Sequence, residues 1–187
     1  MATIRKEMTK DIAAREALIE RAFGEARFAK AAERLREGRL PAHGLSFVAT
    51  EKTRVVGTVR LWHVTAGPAR PALLLGPLAV DDASRGLGIG AALMRRAIDT
   101  ARQLGHKAVV LVGDASYYAR FGFSAEKTGA LWMPGPYERG RLLALELAPG
   151  ALDGARGLIN ATGEKALVPD LATLIAGLAR TDAARAA

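Results

Sequence analysis

The sequence predicts a mixed α/β (α+β) domain built on one central sheet, and three observations support that expectation. Apolar runs of strand length alternate along the chain with stretches of helical period. The segment Leu73 to Val80 (LLLGPLAV) is apolar throughout and reads as a strand covered on both faces. A polar, Gly-rich bend follows it, then a strongly helical run that ends at Gly105, which is the order of a strand, a loop and a helix packed on a sheet.

Taken in order, residues 3 to 7 form a short first strand. Asp11 caps a helix running to about Phe23, with Leu18, Ile19, Ala22 and Phe23 on its apolar face. A second helix, from Phe28 to Glu37, carries Phe28, Ala31, Ala32 and Leu35 at helical spacing, and Gly38 and Pro41 end it. Leu45 to Thr50 and Val55 to Val64 read as two strands, joined into a hairpin by the charged bend Glu51-Lys52-Thr53-Arg54. Gly67-Pro68 and Pro71 turn the chain into the central strand, about 72 to 80. Gly76-Pro77 interrupts that strand, and because Pro cannot donate to a ladder the strand is expected to bulge or splay there. The following helix turns Leu93, Ala97 and Leu104 inward and stops at Gly105 in the left-handed conformation. Lys107 to Val112 is another strand, Ala115 to Phe121 allows no more than two helical turns, and Phe123 begins a further strand. Residues 128 to 140, with Trp132, Pro134, Pro136 and Tyr137, read as an ordered loop. Leu142 to Leu147 is the last strand, near a sheet edge. Beyond Pro149, Asp170 can cap a helix with Leu171, Leu174, Ile175 and Leu178 on one stripe, suited to docking on the body or on a partner.

Composition bounds the function. At 187 residues the chain suits one domain able to bury a core without staples. It contains no cysteine, which excludes disulfides, thiolate catalysis and cysteine-ligated metals, and its three histidines are far apart, so no metal is expected. The polar start MATIRKEMTKD is not a signal peptide, and no apolar run approaches the about 18 residues of a membrane span, so no membrane association is expected and the default address is cytoplasmic. The net charge of +8 is spread along the chain and aromatics are only 5%, which favours a basic surface or an anionic ligand over nucleic acid.

The run Arg85-Gly86-Leu87-Gly88-Ile89-Gly90 opens the long helix. Bare amides and a helix dipole there favour an anion, and the arginine adds a permanent cation, so the stretch reads as a site for a phosphate-bearing cofactor. Gly86-x-Gly88-x-x-Ala91 also satisfies a loose dinucleotide fingerprint, with Asp114 about where a ribose-binding acid belongs. Against that, Asp81 to Arg85 separate the strand from the first glycine, and several elements precede the motif. A P-loop is excluded by the lack of a Gly-Lys-Ser/Thr ending.

Arg85-x-x-Gly88-x-Gly90 after an apolar strand resembles the acetyl-CoA pyrophosphate motif of the GNAT superfamily of N-acyltransferases. Tyr118-Ala119-Arg120-Phe121-Gly122-Phe123 resembles that family's second signature, and the wider run from Gly113 looks like a bacterial subgroup of N-acetyltransferases. The resemblance covers roughly residues 3 to 148. It implies the GNAT fold, a mixed sheet of six to seven strands splayed at its centre, with residues 1–149 as the acyltransferase domain and 150–187 as a C-terminal extension. The amides of Arg85, Gly86, Leu87, Gly88, Ile89, Gly90 and Ala91 are expected to hold the pyrophosphate, and the backbone of Leu78, Ala79 and Val80 the pantetheine arm. Tyr118 is the expected general acid for the thiolate, with Tyr117 beside it as the other tyrosine able to face the sulfur. Arg120 is placed near a cofactor phosphate, and Asp114 and Ser116 join the cofactor contacts of the second helix.

The implied reaction is transfer of an acetyl group from acetyl-CoA to a primary amine on a small molecule or peptide. The alternatives are a non-catalytic acyl-CoA-binding module of the same fold and a protein that binds an NAD-type dinucleotide. The central strand holds no carboxylate, so Glu51, Glu138 and Glu146 are the candidate bases, beside deprotonation through water. The last strands and the tail helix offer surfaces for a homodimer.

Overall fold

The computed structural model describes residues 2–167, so the helix expected around Asp170 to Leu178 lies outside the described residues. The strands are β1 (Thr3–Lys6), β2 (Ser46–Glu51), β3 (Arg54–Ala66), β4 (Pro71–Val80), β5 (Ala108–Val112), β6 (Leu131–Trp132), β7 (Leu142–Glu146) and β8 (Gly157–Ala161). The helices are α1 (Ile12–Phe23), α2 (Ala31–Arg34), α3 (Ile89–Gln103) and α4 (Ala115–Tyr118). The main path of the sheet runs β1-β2-β3-β4-β5-β7, antiparallel except for β4 and β5. β8 pairs with β3 through Val64, Thr65 and Ala66, and β6 adds to β8 in parallel. The sheet therefore has eight strands, more than the sequence suggests, because β6 and β8 are short pieces with no strong apolar run.

Alternation along the strands assigns the two faces. Phe47, Leu73, Leu75, Val109 and Leu111 meet Leu93, Met94, Ala97 and Ile98 of α3 on one face. Val48, Ala79, Leu74 and Val110 lie on the other, under Leu18 and Ile19 of α1 and Ala31 and Leu35 of the α2 segment. β4 is covered on both faces, which is why its sequence is an unbroken apolar run.

β4 is also where the sheet opens. Val59 pairs with Leu78 but Leu61 pairs with Leu75, so β4 holds one residue more than β3 across Gly76-Pro77, as the Pro in the strand led us to expect. The Trp62 indole N–H donates to the Gly76 carbonyl at 2.6 Å and satisfies the bulged backbone. Below the bulge β4 pairs with β5 at Leu73–Val109 and Leu74–Val110 only. Beyond those pairs the two strands part.

Several local expectations are corrected. The second helix is a 3-10 turn at Glu25–Ala29 followed by the single α turn of α2, and Phe28 is 58% exposed beneath the Arg27 guanidinium rather than inward. Leu104 follows the end of α3 and is exposed, whereas Ile89, Met94, Ile98 and Ala101 are buried with Leu93 and Ala97. Asp11 precedes α1, but its carboxylate accepts from Arg5 (2.6 and 2.8 Å) and from the Met8 amide instead of capping the helix. Phe123 is a buried core residue outside any strand, and only Ser124 bridges to Ala144. Among the described residues no helix is long and apolar enough to cross a membrane.

Candidate active site

The opening between β4 and β5 leads into two confluent cavities. The larger, about 930 Å³, is bounded by the α1–α2 segment, the end of β5 and the 136–141 loop. The smaller, about 440 Å³, lies between the end of β4 and the start of α3. Phe23, Leu78, Arg85 and Tyr117 line both.

Small and apolar residues of one stretch form most of the smaller cavity. Leu78, Ala79 and Val80 form one wall, and Gly86, Gly88, Ile89, Gly90 and Ala91 another. Gly86 and Gly88 have φ of 78° and 75°, which residues with a Cβ rarely adopt, so glycine lets the chain turn abruptly into α3. No side chain caps α3, and the N–H of Ala92 to the Gly88 carbonyl is its first backbone bond across a full turn. The amides ahead of that bond stay available to an anion, with the helix dipole behind them. A Cβ on Gly90 would come 3.1 Å from the Tyr117 hydroxyl, so the third glycine keeps this wall low. Arg85 borders both cavities and pairs loosely at the surface with Asp82 (2.8 Å), while Arg54 engages Asp81 (2.5 Å). Arg120 lines the smaller cavity with its guanidinium 4.8 Å from the Tyr117 ring centre. Leu87 is exposed and lines neither cavity.

α4 carries both tyrosines, with ring centres 5.0 Å apart. Asp114 starts it: its Oδ1 accepts from the Ser116 amide (2.8 Å) and hydroxyl (2.7 Å), and these bonds hold the Asp114 carboxyl below its ordinary range. Asp114 borders the larger cavity, but Ser116 lines neither, so this pair shapes the helix start. Tyr117 reaches across to α3 at Gly90. Tyr118 lies over the end of β5, where any Cβ on Gly113 would collide with its ring, and it packs edge-on against Phe123 at 6.0 Å. Gly113 is thus the seat of Tyr118, a role that only the folded contact reveals. Burial, with a lesser contribution from Tyr117, pushes the Tyr118 phenol up to about 12. Tyr118 lines the larger cavity alone. Tyr117 therefore borders both the glycine run and the larger cavity, and Tyr118 the larger cavity only.

The far end of the larger cavity is built from charged side chains. Arg27, Lys30, Glu33 and Arg36 come from the α2 segment, and Glu138 and Arg141 from the opposite loop. Of the three candidate bases, only Glu138 is here. Glu51 ends β2 opposite Arg54, and Glu146 accepts from the amides of Gly150 and Leu152. Glu33 and Arg36 carry no motif; a segment read for its apolar spacing does not show where its charges point. Tyr137 is tied back by its hydroxyl to the Leu131 carbonyl (3.1 Å), and Trp132 lies under the Arg139 guanidinium (4.0 Å). The loop therefore borders the cavity rather than filling it. None of His43, His63 and His106 lines either cavity.

Comparison with known proteins agrees with this geometry. Residues 12–123 match the model of the Acetyltransferase (GNAT) family. The chain is 34% identical over 159 residues to the uncharacterized N-acetyltransferase YhbS of Escherichia coli K12, an alignment covering 84% of this chain and 94% of the relative. The crystal structure of E. coli YhbS in complex with CoA superimposes with a TM-score of 0.72, covering 86% of this chain and 89% of that one. A GNAT family acetyltransferase from Brucella melitensis in complex with acetyl-CoA, 27% identical, gives a TM-score of 0.62 over 92% of this chain and 97% of that one.

Proposed function

This chain belongs to the GNAT acetyltransferase family, and from that premise we propose that it transfers an acetyl group from acetyl-CoA to a primary amine by direct attack. One observation above all supports this: the gap between β4 and β5 joins a cradle of glycine amides to a charged cavity, with Tyr117 where the two meet and Tyr118 beside it on the charged side. The CoA and acetyl-CoA complexes of the two relatives agree with it. The residues present fit such a ligand, since glycines bare the amides at the start of α3 and a side chain at position 90 would crowd that wall.

Acetyl-CoA supplies an activated thioester carbonyl and a thiolate leaving group. The amides from Arg85 to Ala91, with Arg85 and Arg120 beside them, receive its pyrophosphate and phosphates. The backbone of Leu78, Ala79 and Val80 holds the amide-bearing arm in the manner of an added strand. Orientation at this junction supplies much of the rate. The amine nitrogen bonds to the acetyl carbon as the carbon–sulfur bond breaks. Tyr118 directs its proton at the departing sulfur, and the proton lost by the amine leaves through water. Magnitude constrains that step. A phenol near 12 is a weaker acid than a thiol at about 8.5, so a completed transfer alone is uphill by roughly 5 kcal/mol. Tyr118 therefore acts by hydrogen-bonding the developing thiolate, with the amine's proton following in the same step. The open cavity favours this catalytic reading over a non-catalytic binding module.

Thermal shift with acetyl-CoA, CoA and NAD, followed by free-thiol detection with a panel of amines, tests the assignment. Stabilisation by acetyl-CoA and CoA with thiol release is expected; stabilisation by NAD without CoA would overturn it.

A further inference from the structure

The larger cavity has a charge imbalance at its far end. Arg27, Lys30, Arg36 and Arg141 line it, against Glu33, Asp114 and Glu138. Glu33 is held by Arg36 (2.7 Å) and Asp114 by Ser116, and Glu138 has Arg141 as a looser ion-pair partner (3.7 Å). Arg27 pairs with Glu16 and Glu20, at 3.5 and 3.4 Å. Lys30 lies over the Phe23 ring at 5.0 Å, with no carboxylate in ion-pair range among the described residues. Positive charge is therefore left over, and donors with it.

Arg36 is the buried member of this group. Its side chain is 9% exposed, its one hydrogen bond among the described residues goes to Glu33, and its Nε is buried without a partner. Its Nη1 approaches the bulge of β4, 3.4 Å from where a Cβ on Gly76 would stand. Behind it lies Arg60, whose guanidinium is brought down to about 10 by burial and then by Arg15, with Arg36 also contributing. A second cation brought into this end would meet guanidinium groups already repelling one another.

We propose, building on the acyl-transfer reading, that the acceptor is a primary amine that also bears a carboxylate, an amino acid in the chemical sense, and that Arg36, with Lys30 at the rim, receives that carboxylate. A guanidinium fork matches a carboxylate in two parallel hydrogen bonds, and its burial strengthens them. The same cations favour the free amine over the ammonium, which suits a site whose own carboxylates are all paired. Polyamines and aminoglycosides bring several positive charges and are disfavoured.

Thiol release from acetyl-CoA is measured with the common L-amino acids, their α-carboxamides, spermidine, kanamycin and O-phosphoethanolamine. At least one amino acid is expected to exceed its carboxamide, and every other acceptor tested, by about tenfold or more in kcat/KM. In Arg36→Gln that kcat/KM should fall by about 30-fold or more, mainly through KM, and the preference over the carboxamide should vanish while stabilisation by acetyl-CoA persists. Lys30→Gln, an exposed change that leaves the buried cluster intact, should weaken the preference about threefold. A carboxamide equal to its acid, a better acceptor among spermidine, kanamycin and O-phosphoethanolamine, no turnover of any amino acid, or a preference unchanged in both variants would each overturn the assignment. Failure of acetyl-CoA to stabilise the unsubstituted protein would instead strike the acyl-transfer reading itself.

Discussion

At the glycine end of the cleft most of the wall comes from one stretch, Leu78 to Ala91, rich in glycine; at the other end it comes from separated stretches rich in charge, Arg27 to Arg36, Asp114 to Tyr118 and Pro136 to Arg141. The first end recognises through amides that every residue carries, so its sequence requirement is mainly for small residues that leave the amides uncovered. The second recognises through the identity and pairing of charges, which can change without disturbing the sheet that carries them. On the proposed function, one end fixes the donor and the other chooses the acceptor.

That contrast can be broken, beginning where the effect is largest. Arg85→Ala combined with Gly88→Val should abolish stabilisation by CoA, a loss of at least about 100-fold in affinity, because the valine cannot comfortably hold the left-handed turn and covers the amides. Unchanged stabilisation in calorimetry would mean that the glycine end does not bind the donor. A smaller and more selective change is expected at the junction. Tyr118→Phe should lower kcat by about 100-fold with CoA affinity nearly intact, whereas Tyr117→Phe, on the glycine side, should act chiefly on CoA affinity. Equal kcat losses in the two variants would erase the division of roles. The smallest effect serves as a control outside both ends. Arg5, and next the Met8 amide, hold the Asp11 carboxyl near 2, below its ordinary 3.8. A lowered folded value stabilises the protein above about pH 4 and loses that contribution as pH falls towards 2, so Asp11→Asn should flatten the acid limb of the Tm–pH curve with turnover at neutral pH unchanged.

Legibility followed the same division. The apolar run of β4, its Gly-Pro interruption, the glycine bend and the αL stop at Gly105 are local signals, and each appears in place. Tertiary contact overrode the rest. Phe28 has the spacing of an inward residue, yet the 3-10 turn rotates it out beneath Arg27. Leu104 fits the apolar stripe of α3, but the helix has ended by then and the residue faces solvent. Asp11 has the residue type of a cap, and Arg5 from β1 takes its carboxylate. Gly113 gave no signal because its requirement is the Tyr118 ring, and Arg36 gave none because no motif precedes a buried cation in a segment read only for apolar spacing.

β3 imposes a schedule on synthesis. Its one edge is shared by two partners, β2 along Arg54 to Arg60 and β8 along Val64 to Ala66, and β8 is the last of the described strands to be made. As the chain emerges, β1 to β5 and β7 can assemble while Val64 to Ala66 still presents unpaired N–H and C=O groups to its surroundings. Closing that edge is a contact of high sequence separation and therefore comes late. A nascent chain halted before Gly157 would already hold the residues of the cleft, yet it would offer neighbouring chains an open template, and so its solubility depends on residues remote from the chemistry.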